Sequence, residues 1–237
     1  MADNTYHLTL SAPGRNALSS DHMRRLVAEI GEAGGRPLLL TGADGTFSAG
    51  LNLKEVASLD VPGMTRFLQL LDAVMQALYE YAGPTVACVN GHAIAGGCVL
   101  ALCCDWRVAV DRADVRIGLN EVALGLEFPP MIMNLVRDRI PRRHVERVVL
   151  EAGLHDARTA RDLGLVDEVA ADPLPVAQAA LARLAGVPPT TFAATKRTLR
   201  NGVLALDDAQ QRHFEQQIVP SWCAPETKER ITAQLRR

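Results

Sequence analysis

The chain has 237 residues, 48% of them apolar, with a formal net charge of −2 and an isoelectric point near 6.3. That is enough to bury one sizeable core, and the near-neutral balance excludes the basic footprint of a nucleic-acid binder. No apolar run reaches the roughly 18 residues of a membrane span. Met1-Ala2-Asp3-Asn4-Thr5 lacks the charged and apolar regions of a secretory signal, so the chain reads as cytoplasmic.

Residues 5–10 alternate as a short strand. Ser19-Ser20-Asp21 then supplies cap residues for a helix with Met23, Leu26, Val27 and Ile30 on one face, which Gly34-Gly35 stops. Leu38-Leu39-Leu40 reads as a buried strand. A second helix follows Pro62, with Met64, Phe67, Leu68, Leu71, Met75 and Leu78 at helical spacing, and Gly83-Pro84 ends it. Residues 85–89 form the next strand. The run 96–104 is apolar all round, and period alone leaves it open between strand and helix. A strand over 106–110 follows, with 115–117 a candidate for one more.

After Pro141, helices are expected around 142–151 and 157–163, then a short strand over 165–169. Asp172-Pro173-Leu174-Pro175 breaks the chain, and helices dominate beyond it. Strands alternating with helices argue an α/β core over residues 1–172 and a helical region over 173–237.

The five cysteines are odd in number and show no C-x-x-C spacing. Cys98, Cys103 and Cys104 share one apolar run and read as small buried residues in a reducing compartment. The histidines at 7, 22, 92, 144, 155 and 213 are scattered without ligand spacing, so no metal is expected.

Chemistry is suggested by two glycine turns and one carboxylate. The turns are Phe47-Ser48-Ala49-Gly50-Leu51 and Ala95-Gly96-Gly97-Cys98; the carboxylate is Glu121, closing Ile117-Gly118-Leu119-Asn120-Glu121. Gly50 permits a backbone conformation that frees the Leu51 amide. Paired glycines at a helix start leave N–H groups that favour negative charge. Taken singly, each glycine reads equally as a turn or packing residue, and Glu121 as a solvated surface carboxylate. Taken together, they describe two donors for an oxyanion and one base for the neighbouring carbon.

In the stretches 47–55, 84–105 and 117–125, and more weakly in 12–18 and 157–169, the chain resembles the crotonase superfamily, the enoyl-CoA hydratase/isomerase family. The resemblance implies a spiral of ββα units followed by a C-terminal helical trimerisation region, a homotrimer or dimer of trimers, and an acyl-CoA thioester as substrate. CoA is then part of the substrate and no separate cofactor is expected. The matching oxyanion donors are the amides of Leu51 and Gly96. Hydratases of the family carry two glutamates; this chain has Val99 at the first position and Glu121 at the second. The tract is most similar to the mitochondrial-type Δ3,Δ2-enoyl-CoA isomerases, which implies that Glu121 shuttles a proton between C2 and C4.

The same resemblance puts Arg15 and Lys54 near the CoA phosphates, and Ala49, Gly97, Val99, Glu127 and Phe128 along the substrate. Asn52 replaces the usual Asp at a position read as structural. Glu127 is either a surface charge or a second acid/base that would reopen hydration or hydrolysis. Lys228, Arg230, Arg236 and Arg237 read as helix solubilisers, one of which would reach a CoA held by a neighbouring subunit. The rival readings are another crotonase reaction (hydratase, thioester hydrolase or decarboxylase) and a non-catalytic binding protein; the lack of basic–aromatic clusters argues against RNA.

Overall fold

The structure, a computed structural model, describes residues 4–236; Met1-Ala2-Asp3, read above for a secretory signal, and Arg237 lie outside the described residues. Strand β1 (Tyr6–Leu10) leads into a tight turn, α1 (Pro13–Asn16), in which Gly14 and Arg15 take left-handed φ. Helix α2 (Ser20–Ala33) starts where the Ser19 hydroxyl accepts the His22 amide and stops at Gly34 in the left-handed conformation. There follow β2 (Leu38–Gly42), α3 (Leu53–Ser58), α4 (Val61–Tyr79), β3 (Thr85–Val89), β4 (Ala93–Ile94), α5 (Gly96–Cys103), β5 (Trp106–Val110) and β6 (Ile117–Gly118). The second half comprises α6 (Pro130–Arg139), α7 (Arg142–Leu150), α8 (Ala157–Leu163), β7 (Glu168–Ala170), α9 (Pro173–Ala185), α10 (Pro189–Arg200), α11 (Asp208–His213), α12 (Val219–Cys223) and α13 (Pro225–Leu235).

Strands β1, β2, β3, β5 and β7 form one parallel sheet in that order, and β4 pairs with β6 in a second. A parallel sheet is covered on both faces, so its strands are apolar at successive positions. Alternation sorts those positions between two cores. Leu38, Leu40, Ala87, Val89 and Ala109 join Leu26, Phe67 and Leu100 in the main cluster. Leu39, Val86, Cys88 and Val108 pack instead with Ala177, Ala180 and Leu181 of α9. The helix that opens the 173–237 region therefore covers one face of the main sheet.

Two local departures from the sequence reading have clear causes. Residues 53–58, not expected as a helix, form α3 because the Asn52 side chain accepts the amides of Lys54 and Glu55. The strand expected over 165–169 begins later, at Glu168, because Leu165 donates its amide back to Ala160 O at 2.8 Å and closes α8 behind Gly164. The open run 96–104 is helical, and all five cysteines are unpaired, four of them buried. Among the described residues no helix is long and apolar enough to cross a membrane.

Candidate active site

The small sheet gathers the three sequence segments of interest. Ser48 bridges to Ala93 in parallel, and β4 pairs with β6 through Ala93↔Ile117 and Ile94↔Gly118. Because these pairings are parallel, residues 49–51, 95–97 and 119–121 all leave the sheet at the same end.

The first turn is anchored from within the core. Asn16, only 4% exposed, donates from Nδ2 to the carbonyls of Ala43 (3.0 Å) and Thr46 (2.8 Å) and accepts the Ala12 amide at Oδ1. The buried Ser48 hydroxyl donates to Asn16 O at 2.8 Å and accepts the Gly50 amide at 3.1 Å. Leu18 then donates to Gly50 O and accepts from Asn52 N, at 2.8 and 3.0 Å. The Leu51 amide between these two bonds has no acceptor among the described residues. Gly50 holds φ at +87°, and a Cβ there would lie 2.6 Å from Ile94 O and 3.2 Å from Gly96 N. The two turns are thus in contact, and the space between them admits no side chain.

The second turn is strained. Ala95 donates its amide to Gly118 O at 2.8 Å and adopts φ 50°, ψ −121°, a conformation L-residues rarely hold. Helix α5 starts directly after it with no side-chain cap, and the Gly96 amide likewise has no acceptor among the described residues. Gly97 serves packing: a Cβ on it would sit 2.5 Å from Ser48 O.

Glu121 follows Gly118 by three residues. It is 5% exposed, its Oε2 has no hydrogen-bond partner, and burial pushes its carboxyl up to about 7. Its charge is felt by the buried Cys98 thiol in the first turn of α5, and Val99, fully buried, is the next residue of that helix. Ala49 is half-buried, with its amide on Arg15 O at 3.0 Å.

Glu127 behaves differently from Glu121. Its side chain is 51% exposed and pairs with His213 Nε2 at 2.7 Å. With the buried Phe128 it lines a cavity of about 440 Å³ beside Val122 and Met133. The side chains of Arg15 and Lys54 are exposed and make no ion pair among the described residues. Two of the C-terminal bases are engaged within their own chain: Lys228 donates to Leu59 O at 2.7 Å, and Arg230 lies where a side chain on Gly125 would be. They tie α13 across the Glu121 loop and α3. Of the residues that shape the turns, Ser48 and Ala95 lie in the two turns named from the sequence without a role of their own there, and Asn16 lies in one of the weaker matching stretches.

Two free main-chain donors beside a buried carboxylate of raised pKa can polarise a carbonyl and move a proton at the adjacent carbon. The fold is α/β, and its site gathers two free main-chain amides and one buried carboxylate at the same end of the small sheet. The family model described as enoyl-CoA hydratase/isomerase matches residues 2–234, and the chain belongs to that family. It is 35% identical over 132 residues to the mouse protein named enoyl-CoA delta isomerase 1, mitochondrial, a match covering 56% of this chain but only 46% of the mouse protein. It is also 35% identical over 197 residues to the Mycobacterium tuberculosis protein named probable enoyl-CoA hydratase EchA17, covering 80% of this chain and 74% of that one. Among solved structures, human mitochondrial delta3-delta2-enoyl-CoA isomerase superposes with a TM-score of 0.93 at 25% identity, covering 99% of this chain and 94% of that one.

Proposed function

We propose that this protein shifts the double bond of a 3-enoyl-CoA to the trans-2 position. The Glu121 carboxylate takes a proton from C2, and the electron pair moves through the carbonyl onto the thioester oxygen. The amides of Leu51 and Gly96 donate to that oxygen; removing one such donor commonly costs about 2.7–4 kcal/mol of transition-state stabilisation. The same carboxyl then protonates the dienolate at C4 and returns to its ionised form, so no proton is gained or lost. CoA is part of the substrate, its phosphates are assigned to the exposed Arg15 and Lys54, and the cycle uses no separate cofactor. The proposal carries with it the homotrimer or dimer of trimers that the resemblance implies, which sedimentation reads directly.

The observation behind this reading is the solitary state of Glu121, buried, with one oxygen unpartnered and its carboxyl titrating near neutrality. A group that ionises near pH 7 can both accept a proton and give it back. Hydration needs a second side chain to hold and activate water, and Val99 offers no hydrogen bond for that purpose. Hydration remains the second reading, favoured by the mycobacterial relative named as a hydratase. Parallel assays with 3-enoyl-CoA and 2-enoyl-CoA separate the two. Isomerisation is expected in the first, abolished by Glu121→Gln, with hydration at least an order of magnitude slower; faster hydration would make the second reading the correct one.

A further inference from the structure

Helix α5 is fully capped at its C-terminus and bare at its N-terminus. A helix leaves its last four carbonyls without intrahelical partners. In α5, Leu100 O takes the Cys104 thiol at 3.8 Å and Ala101 O takes the Cys104 amide at 3.1 Å. Leu102 O takes Arg139 Nε at 3.0 Å, and Cys103 O takes an Arg200 Nη1–H at 3.3 Å. Arg139 spreads its remaining donors onto Cys104 O (2.7 Å) and Asp105 O (3.4 Å). Arg200 also binds the Asp105 carboxylate at 2.7 Å, beside Lys196 at 2.8 Å. These cations arrive from α6 and α10, far along the chain. At the opposite end Gly96, Gly97 and Cys98 start the helix with no side-chain cap.

The asymmetry has an electrostatic consequence. Helix α5 is buried along its whole length, and a helix carries roughly half a unit charge of opposite sign at its two ends. Every bond recorded for Arg139 goes to a main-chain carbonyl at or just past the end of α5, and none goes to a carboxylate. Its guanidinium is therefore hydrogen-bonded to the negative end of the helix, with the Asp167 carboxylate close enough to attract it but not bonded to it. The positive end stays free for a ligand.

We propose that Arg139 and Arg200 are positioning residues for catalysis. By gripping the C-terminal carbonyls of α5 they fix the helix along its axis and reinforce the field at the Gly96 amide. This rests on the reading of Gly96 as an oxyanion donor. Neither arginine touches substrate; both act through the helix. Eight residues at about 1.5 Å each, with a hydrogen bond of about 3 Å at either end, put the clamp roughly 18 Å from the oxyanion. A unit charge at that distance, at an effective dielectric of about 20, changes the population of an anion by about fivefold.

The test uses acetoacetyl-CoA, whose enolate absorbs in the ultraviolet and would place its oxygen on the same two amides. Arg139→Gln keeps a donor for one carbonyl but removes the charge; Arg139→Lys restores the charge. The wild type is expected to raise the enolate fraction of the bound ligand. Arg139→Gln is expected to lose about fivefold of that preference and about fivefold in kcat for 3-enoyl-CoA, with KM unchanged. Arg139→Lys is expected to recover to within about twofold. A folded Arg139→Gln variant with the wild-type enolate fraction, or a Lys variant no better than Gln, overturns the proposal. If Arg139→Gln does not fold, the same comparison at Arg200, with Gln and Lys, decides it. A wild type that shows no enolate enhancement would instead count against the oxyanion reading itself.

Discussion

Glu121→Gln is expected to destroy activity and to stabilise the fold, and the second effect tests the burial argument independently of any substrate. An ordinary glutamate ionises near 4.5, whereas burial pushes Glu121 to about 7. The folded protein therefore binds more protons than the unfolded chain between these values, and stability falls as pH rises through that window. At about 1.4 kcal/mol per pH unit, the difference amounts to roughly 3 kcal/mol lost by pH 8. Glutamine has nearly the same shape and no charge to desolvate. The variant is expected to match wild type at pH 4 and to exceed it by about 3 kcal/mol at pH 8. For a chain of this length that is roughly 6–12 °C in Tm. Asp72, also raised to about 7 by burial, contributes alike to both proteins and drops out of the difference. Urea titrations followed by circular dichroism from pH 4 to 8, at one fixed protein concentration so that assembly is constant, give the comparison directly. Equal stability of the two proteins at pH 8 would refute the claim that this carboxylate is held unsolvated and unpaired.

Other perturbations follow from the same geometry. As a base that must be ionised, Glu121 should make kcat/KM rise with pH to a plateau with a midpoint near 7; a flat profile from pH 5.5 to 8.5 would remove it from that role. Gly50→Ala forces a Cβ to within 2.6 Å of Ile94 O at a φ of +87°, which should pry the turns apart and cost roughly 10²–10³ in kcat, the worth of one oxyanion donor; near-normal turnover would argue against the Leu51 amide. Val99→Ala should cost about 1–3 kcal/mol of stability as a buried truncation yet leave kcat within about threefold, and a folded but inactive variant would contradict the one-base scheme. Asn16→Ala removes the anchor of the first turn and should cost about 1–3 kcal/mol in a urea titration while raising KM for the acyl-CoA; an unchanged KM would free that side chain from any part in shaping the turn.

How far the sequence foretells all this depends on whether a feature is local. The main sheet is legible because β2 and β3 are apolar at successive positions, α2 because Ser19 and Gly34 mark its ends, and α4 because an apolar stripe at helical spacing follows Pro62, although the helix stops at Tyr79, short of the Gly83-Pro84 break. Local signals fail where partners are distant. Gly50 and Gly97 look alike in sequence, yet one separates the two turns and the other packs on Ser48, a difference set by what a Cβ would meet some 45–50 residues away along the chain. Nothing about an alanine announces that Ala95 takes φ 50°; that angle accompanies the bond from its amide to Gly118 O across the small sheet. Glu121 and Glu127 share one apolar loop, and what distinguishes them is that Glu127 finds His213, 86 residues later, while Oε2 of Glu121 finds no partner among the described residues. Arg139 drew no reading from the sequence, and its place against the end of α5 comes from the fold alone. The groups assigned to the chemistry are the ones without partners: the amides of Leu51 and Gly96 and one oxygen of Glu121. Having no partner is a property of the whole fold and never of a short segment, so a residue pattern can nominate such groups, but only the packed chain can leave them free.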